Sequence, residues 1–288
     1  MRNDRKLIHQ YYSRLVSCAW FVIIVTLFFS CSNGSDHYER KYGAKTRQLI
    51  AVMESNPKLK LLLIEAIARG KEINPDTSTN PVNNIEDFYQ LVSWTETAMP
   101  WELMRHMEHA TLYNRIDQSL AYLFFITDIP LPELKGRGYF NNSLQYEEPF
   151  CSWLTSFDKG WGTFLDSKMS WNPDYYNLAL SEEKFGLQND WYEDSSHWKT
   201  FNQFFTRKLK SPDKRPIASP EDASIIVSPV DGVPQGIWKI DHNSSILGED
   251  GVPVKTSTVF SVNSLIGKDS KYKDEFEGGT ITHTFLDV

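Results

Sequence analysis

A chain of 288 residues is long enough for one large domain or two modest ones, and 41 % hydrophobic with 23 % charged side chains excludes wholesale disorder. The formal net charge of −7 argues against a nucleic-acid partner, which selects a basic surface. Three cysteines, Cys18, Cys31 and Cys151, are too few and too unevenly spaced for a disulfide framework or a zinc site. Aromatic residues reach 14 %, and most of the nine Trp fall between residues 94 and 198, so large rings supply much of the expected core.

The first thirty residues read as an export address. Arg2, Arg5, Lys6 and Arg14 form a basic region, and Ala19 to Phe29 form an apolar stretch short for a bilayer-spanning helix. Ser30-Cys31-Ser-Asn-Gly-Ser follows, a small residue, a cysteine and a polar tether. This arrangement resembles a bacterial lipoprotein signal, with Cys31 the lipidated residue, although Phe28 and Phe29 stand where Leu and a smaller residue are usual. The alternative is an uncleaved N-terminal anchor with Cys31 an unmodified thiol. Both place the chain at a membrane, in the cell envelope in the lipoprotein case, with its bulk in water.

From His37 to about Arg69, Leu49, Val52, Met53, Leu59, Leu62, Leu63, Ala66 and Ile67 recur at helical steps, broken near Pro57. Gly70 to Asn84 is a polar loop, and Asn84-Ile-Glu-Asp-Phe has the form of a capped helix start. A further helical stretch runs from about Trp101 to Ile126 and holds His106 and His109. Two histidines three apart share a helix face, but no third ligand accompanies them, so surface histidines are the simpler reading. Asp128 to Gly138 is a Pro- and Gly-rich connector, and the aromatic stretch Phe150 to Trp171 follows it. Cys151 reads as a small buried apolar residue. After Pro212 the pattern changes to short β-branched runs, Ile225 to Val227, Val252 to Val254 and Thr280 to Thr282. The expected fold class is α+β: a signal segment over 1–31, a helical accessory domain over 38–195, and the incomplete start of a β-rich domain over 200–288.

Three further stretches come in order: Phe201-Asn-Gln-Phe-Phe-Thr-Arg-Lys-Leu-Lys with Lys214-Arg-Pro-Ile217, then Val227-Ser-Pro-Val-Asp-Gly232, then Phe276-Glu-Gly-Gly-Thr running into Phe285-Leu-Asp-Val288. Singly, each is ordinary: a helix packing on a core, or an Asp-Gly turn. In this order and spacing they resemble the start of the catalytic domain of the phosphatidylserine decarboxylase family. There a double-Phe helix, an Arg-Pro-Ile turn and a Ser-Pro-x-Asp-Gly strand end follow one another. Val254-Lys255 with Phe260 to Gly267 is similar to the next family segment, with Thr256 in place of the usual Gly. Upstream, Trp161-Gly-Thr-Phe-Leu-Asp-Ser-Lys168 resembles part of an accessory domain found in some relatives, fungal aromatic amino-acid decarboxylases among them.

The resemblance implies a carboxy-lyase whose cofactor is a pyruvoyl group made from the enzyme's own backbone. A serine attacks the preceding carbonyl, the resulting ester eliminates, and the chain breaks to leave the ketone that serves as electron sink. It also implies an Asp-His-Ser arrangement for that cleavage, in which Asp231 orients the histidine. The histidine belongs to a Tyr-His-x-x-His segment and the serine to a later Gly-Ser step, and neither follows Phe285-Leu286 in this sequence. His283 precedes that point and reads as an ordinary strand position. The chain as written is therefore expected to be inert alone, with a last strand lacking sheet partners and an open edge. The implied substrate is phosphatidylserine, decarboxylated to phosphatidylethanolamine in phospholipid biosynthesis. A free aromatic amino acid is the alternative, and a non-catalytic lipoprotein binding module the third reading. The expected partners are that substrate and the membrane, and a homo-oligomer is compatible with the sequence.

Overall fold

This computed structural model describes residues 41–286, apart from 78, 103, 105–119, 135–141, 229, 255–256 and 268. The signal segment with Cys18 and Cys31, the pair His106 and His109, and most of the helix expected before Ile126 lie outside the described residues. Those described are helical in the first half and carry antiparallel strands only after Gly232, an α+β arrangement as expected. The chain divides into two compact units.

The first unit takes in described residues up to Ile126 and Glu147–Ser170. Its helices are α1 (Ala44–Ser55), α2 (Pro57–Ile73), α3 (Ile85–Thr95), most of α4 (Leu120–Asp128) and α5 (Phe150–Leu165). Local chemistry sets the boundaries. Asn56 ends α1 and caps α2, its Oδ1 accepting from Leu59 N at 3.1 Å, with Pro57 at the first helical position where a missing N–H costs nothing. Asn84 Oδ1 accepts from Asp87 N at 3.0 Å, so the expected helix start is the observed one. At the N-terminus of α1, Glu96 Oε1 accepts from both Thr46 N (2.9 Å) and Thr46 Oγ1 (2.8 Å), because Gly43 has no side chain to cap with. The α2 helix runs to Ile73, one turn beyond the sequence expectation.

α1 packs against α3 and α5. Leu49 and Met53 of α1, Phe88 and Val92 of α3 and Phe157 of α5 are buried, and Trp153 donates its indole N–H to Lys45 O at 2.9 Å. The aromatic stretch is thus the amphipathic helix α5, with Phe150, Trp153, Leu154, Phe157 and Leu165 on its buried side. Trp161, in the accessory-domain motif, donates to Ala98 O at 2.9 Å. Cys151 is a free thiol at the start of α5 and only partly buried, because the inward positions there belong to the larger Phe150 and Leu154.

Near α1, Lys41 and the Tyr42 hydroxyl both donate to the Glu86 carboxylate. The Lys41 bond first, then that of Tyr42, holds Glu86 below the ordinary glutamate range. A depressed carboxyl stabilises the fold above its unfolded pKa, and that contribution is lost as pH falls through the folded value. Glu86→Gln is therefore expected to flatten the acid limb of the stability–pH curve, measured as urea midpoints at descending pH.

The second unit comprises Thr127–Tyr146 and residues from Trp171 on. Its first part is an aromatic cluster around α7 (Phe201–Phe205), joined by α6 (Pro173–Ser181). The Phe204 ring stacks on Trp171 at 4.7 Å between centroids and meets Phe185 and Trp198 edge-on at 5.6 and 5.7 Å. Its second part holds β1 (Gly232–Ile240), β2 (Ile246–Leu247), β3 (Val252–Val254), β4 (Ser257–Val259), α8 (Val262–Ile266) and β5 (Thr280–Leu286). β1 is central in a three-stranded antiparallel sheet ordered β2-β1-β5, and β3 and β4 form a separate hairpin. Ile240, Ile246, Val252, Val259 and Val262 form its small core, joined by Trp238 and Ile281.

Two expectations change here. Ile225 to Val227 is not a strand: it is irregular backbone, with Ile226 95 % exposed, because no other described segment pairs with it. The last strand, β5, does have a partner, pairing with β1 along its whole length, and no other described segment pairs with its other edge.

Candidate functional site

The segment from Arg215 to Gly232 is anchored at both ends. At the first end, residues 191–193 and 208–210 run antiparallel, with Glu193 N donating to Lys208 O (2.9 Å) and Lys210 N to Trp191 O (2.8 Å). Arg207 ties that ribbon to the aromatic cluster. Its guanidinium lies 4.5 Å from the Tyr192 ring centroid and 4.9 Å from that of Phe204, and it donates to Phe204 O (3.3 Å) and Phe185 O (3.2 Å). This accounts for the Phe-Phe-Thr-Arg order on the short helix: Phe204 enters the cluster and Arg207 folds back over it.

Asp231 stands at the other end. Its Oδ1 accepts from Arg215 Nη2 at 2.7 Å, and the Arg215 guanidinium lies 5.4 Å from the Trp191 ring centroid. The bond to Asp231 raises the Arg215 pKa further above its already high value, so the guanidinium stays charged. Both side chains are well exposed, so the pair contributes on the order of 1 kcal/mol or less. Its consequence is positional: the Arg-Pro-Ile turn is joined to the Ser-Pro-Val-Asp-Gly turn. Ser228 Oγ donates to Val230 O at 2.6 Å and shapes that second turn. Arg215 carries no role in the sequence reading. The only signal for it is an Arg in one motif and an Asp in the next, sixteen residues on.

Gly232 follows Asp231 and opens β1, so the motif precedes a strand rather than ending one. A Cβ at Gly232 would lie 2.4 Å from Thr284 Cγ2 and 2.5 Å from the Phe285 carbonyl oxygen. Backbone cannot yield as a side chain can, so this is a close approach that requires glycine. Gly232→Val is expected to cost about 1–3 kcal/mol through overpacking, read as a lower urea midpoint. The register pairs Gly232 with Leu286. Asp231 therefore stands just outside the sheet, at the end that β5 reaches with Leu286.

His283 is placed differently. It pairs with Gly236, three residues before Leu286 on β5, roughly 10 Å along the strand at 3.4 Å per residue. Its Nδ1 is buried without a hydrogen-bond partner. The Asp231 carboxylate is bonded instead to Arg215, so the two are not brought together. Among the described residues no group of His, Cys, Asp and Glu side chains could hold a metal ion. No helix among them is long and apolar enough to cross a membrane.

The family model described as phosphatidylserine decarboxylase matches residues 201–288, the span holding the α7 helix, the Arg215–Asp231 pair and the β1–β5 sheet. Over residues 201–288 the chain is similar to the phosphatidylserine decarboxylase family. A phosphatidylserine decarboxylase proenzyme of Vibrio campbellii (strain ATCC BAA-1116) is 31 % identical over 126 residues, 43 % of this chain and 38 % of that protein. One from Escherichia coli O9:H4 (strain HS) is 31 % identical over 148 residues, 51 % of this chain and 42 % of that protein. One from Salmonella arizonae is 30 % identical over the same length. The chain thus spans less than half the length of these relatives. Both alignment lengths exceed the segment from 201 onward, so the likeness to phosphatidylserine decarboxylases takes in residues upstream, towards the rings packed on Phe204.

Proposed function

We propose that this chain is the front part of a pyruvoyl-dependent decarboxylase that converts phosphatidylserine to phosphatidylethanolamine. In this reading 38–195 is the accessory domain and 200–288 the opening of the catalytic domain. The observation that carries it is the coincidence of the family segment with an aspartate held at a sheet end. Arg215 and the Gly232 contact fix where Asp231 stands, and β5 runs to the same end. A histidine entering from that end would find a carboxylate already positioned to orient its imidazole and stabilise the protonated form. The pyruvoyl ketone, once formed from a serine of the same protein, supplies the electron sink for decarboxylation. The test is to read the coding frame past the codon for Val288 and express the product. Self-cleavage into two chains, with CO₂ released from phosphatidylserine vesicles, supports the proposal, and a product that neither cleaves nor decarboxylates defeats it.

A second reading, decarboxylation of a free aromatic amino acid, is favoured by the likeness of Trp161–Lys168 to the accessory domain of such enzymes. The same assay separates the two, since that enzyme would release CO₂ from the soluble amino acid and leave the vesicles unchanged.

The N-terminal segment is proposed to hold the protein at the membrane through lipidated Cys31. Two or more acyl chains suffice for stable anchoring where one does not. Cys31→Ala is expected to shift the protein out of the acyl-modified pool, read as loss of the lipid mass from its N-terminal peptide. An unmodified wild-type peptide would rule the lipoprotein reading out.

A further inference from the structure

The α2 helix has two apolar faces. One, with Leu59, Leu62, Leu63, Ala66, Ile67 and Gly70, is buried. The other carries Leu61, Ile64 and Ala68, three and four residues apart and so on one side of the helix. All three are exposed, Leu61 by 66 % and Ile64 by 43 %. Single surface leucines need no explanation, but a helix with an apolar stripe on its outward side as well as its inward one is built to meet something other than water.

The charges around the stripe point to what it meets. α2 holds four basic side chains, Lys58, Lys60, Arg69 and Lys71, against the acidic Glu65 and Glu72, in a chain whose net charge is −7. At 3.6 residues per turn, Lys60 and Lys71 fall on one flank of the stripe. Lys58 and Arg69 fall on the other, which Glu65 and Glu72 share. Lys60 is tied to Glu54 at 2.7 Å and Arg69 to Glu65 at 3.2 Å, whereas no described carboxylate pairs with the exposed Lys58 or Lys71. Lysines in such places lay their stems along an apolar surface and carry their ammonium groups to anionic headgroups, the pattern of helices that lie in the surface of a bilayer. A second copy of the same face would instead bring lysine towards lysine. The acyl group proposed at Cys31 stands ten residues before Lys41, a reach of about 35 Å at full extension, so that anchor would keep the first unit near such a surface.

We propose that the outward face of α2, centred on Ile64, is a docking surface for an anionic lipid bilayer. It acts in addition to the acyl anchor and does not depend on it. The full chain carrying Ile64→Cys is reconstituted at low salt into vesicles of phosphatidylcholine alone or of phosphatidylcholine mixed with phosphatidylglycerol. Alkylation by a water-soluble maleimide is timed, and each cysteine is read at its own peptide by mass spectrometry, so Cys151 serves as an internal control. Position 64 is expected to react several-fold more slowly on the anionic vesicles, and Cys151 equally on both. High salt should shrink the difference by screening the lysines. Lys58→Glu combined with Lys71→Glu should abolish it, with circular dichroism checking that this variant keeps its helices. Equal rates at position 64 on the two kinds of vesicle, fast because the face stays wet or slow because protein covers it, would overturn the proposal. So would protection that survives the charge reversal. Flotation separates this result from the anchor: a chain that floats with the anionic vesicles alone has no N-terminal anchor yet keeps the α2 surface, and one that floats with neither has lost both. None of these readouts depends on decarboxylase activity.

Discussion

Asp231→Asn, made in the product of the frame read past Val288, is expected to slow self-cleavage by roughly 10²–10⁴-fold, the range general acid–base groups supply. The amide keeps the shape of the side chain but removes the charge that would favour a protonated imidazole and fix its tautomer. The control is the other half of the observed pair. Arg215→Ala also breaks the 2.7 Å bond to Asp231 but leaves the carboxylate in place. If Asp231 served only to close the turn, the two variants would cleave alike. Cleavage by Arg215→Ala near the wild-type rate, with arrest in Asp231→Asn, assigns the aspartate to the chemistry. Gel electrophoresis of precursor against cleaved chains over time measures both.

Phe204→Ala should have the largest effect on stability, about 3–5 kcal/mol, the usual loss for a fully buried aromatic side chain. Phe204 is 2 % exposed, and its ring packs with those of Trp171, Phe185, Trp198 and Phe201. Its removal also takes away a surface beneath the Arg207 guanidinium. The neighbouring Phe205 is 55 % exposed, so Phe205→Ala should cost far less, and the pair tests whether the two phenylalanines of the motif have separate roles. Urea unfolding followed by tryptophan fluorescence reports directly, because Trp171 and Trp198 line the same cluster.

The sequence is most legible where structure is decided within a few residues. The Asn84 cap and the Asn56-Pro57 break depend on a side chain reaching a backbone N–H three positions away, and both are as expected. Legibility fails where pairing with distant chain decides. Ile225 to Val227 has the composition of a strand, but no described segment pairs with it. β1, Gly-Val-Pro-Gln-Gly-Ile-Trp-Lys-Ile, contains two glycines and a proline that read as punctuation, yet it is the longest strand described. Its glycines answer to contacts unseen in the sequence, Gly232 to Phe285 and Gly236 to the Trp238 ring. At the site, Asp231 was legible through family resemblance alone, and its Arg215 partner through nothing local.

The irregularity in β1 divides the strand in two. Gln235 is the extra residue between the pairs Pro234↔Thr284 and Gly236↔His283. A bulge sharpens strand twist, and proline has no N–H to give. Among the described residues β2 pairs with the far edge of β1 only at Lys239 and Ile240, beyond the bulge. The kink in β1 falls between the end of the strand next to Asp231 and the end that packs on the small core, so the two halves of the strand differ in twist.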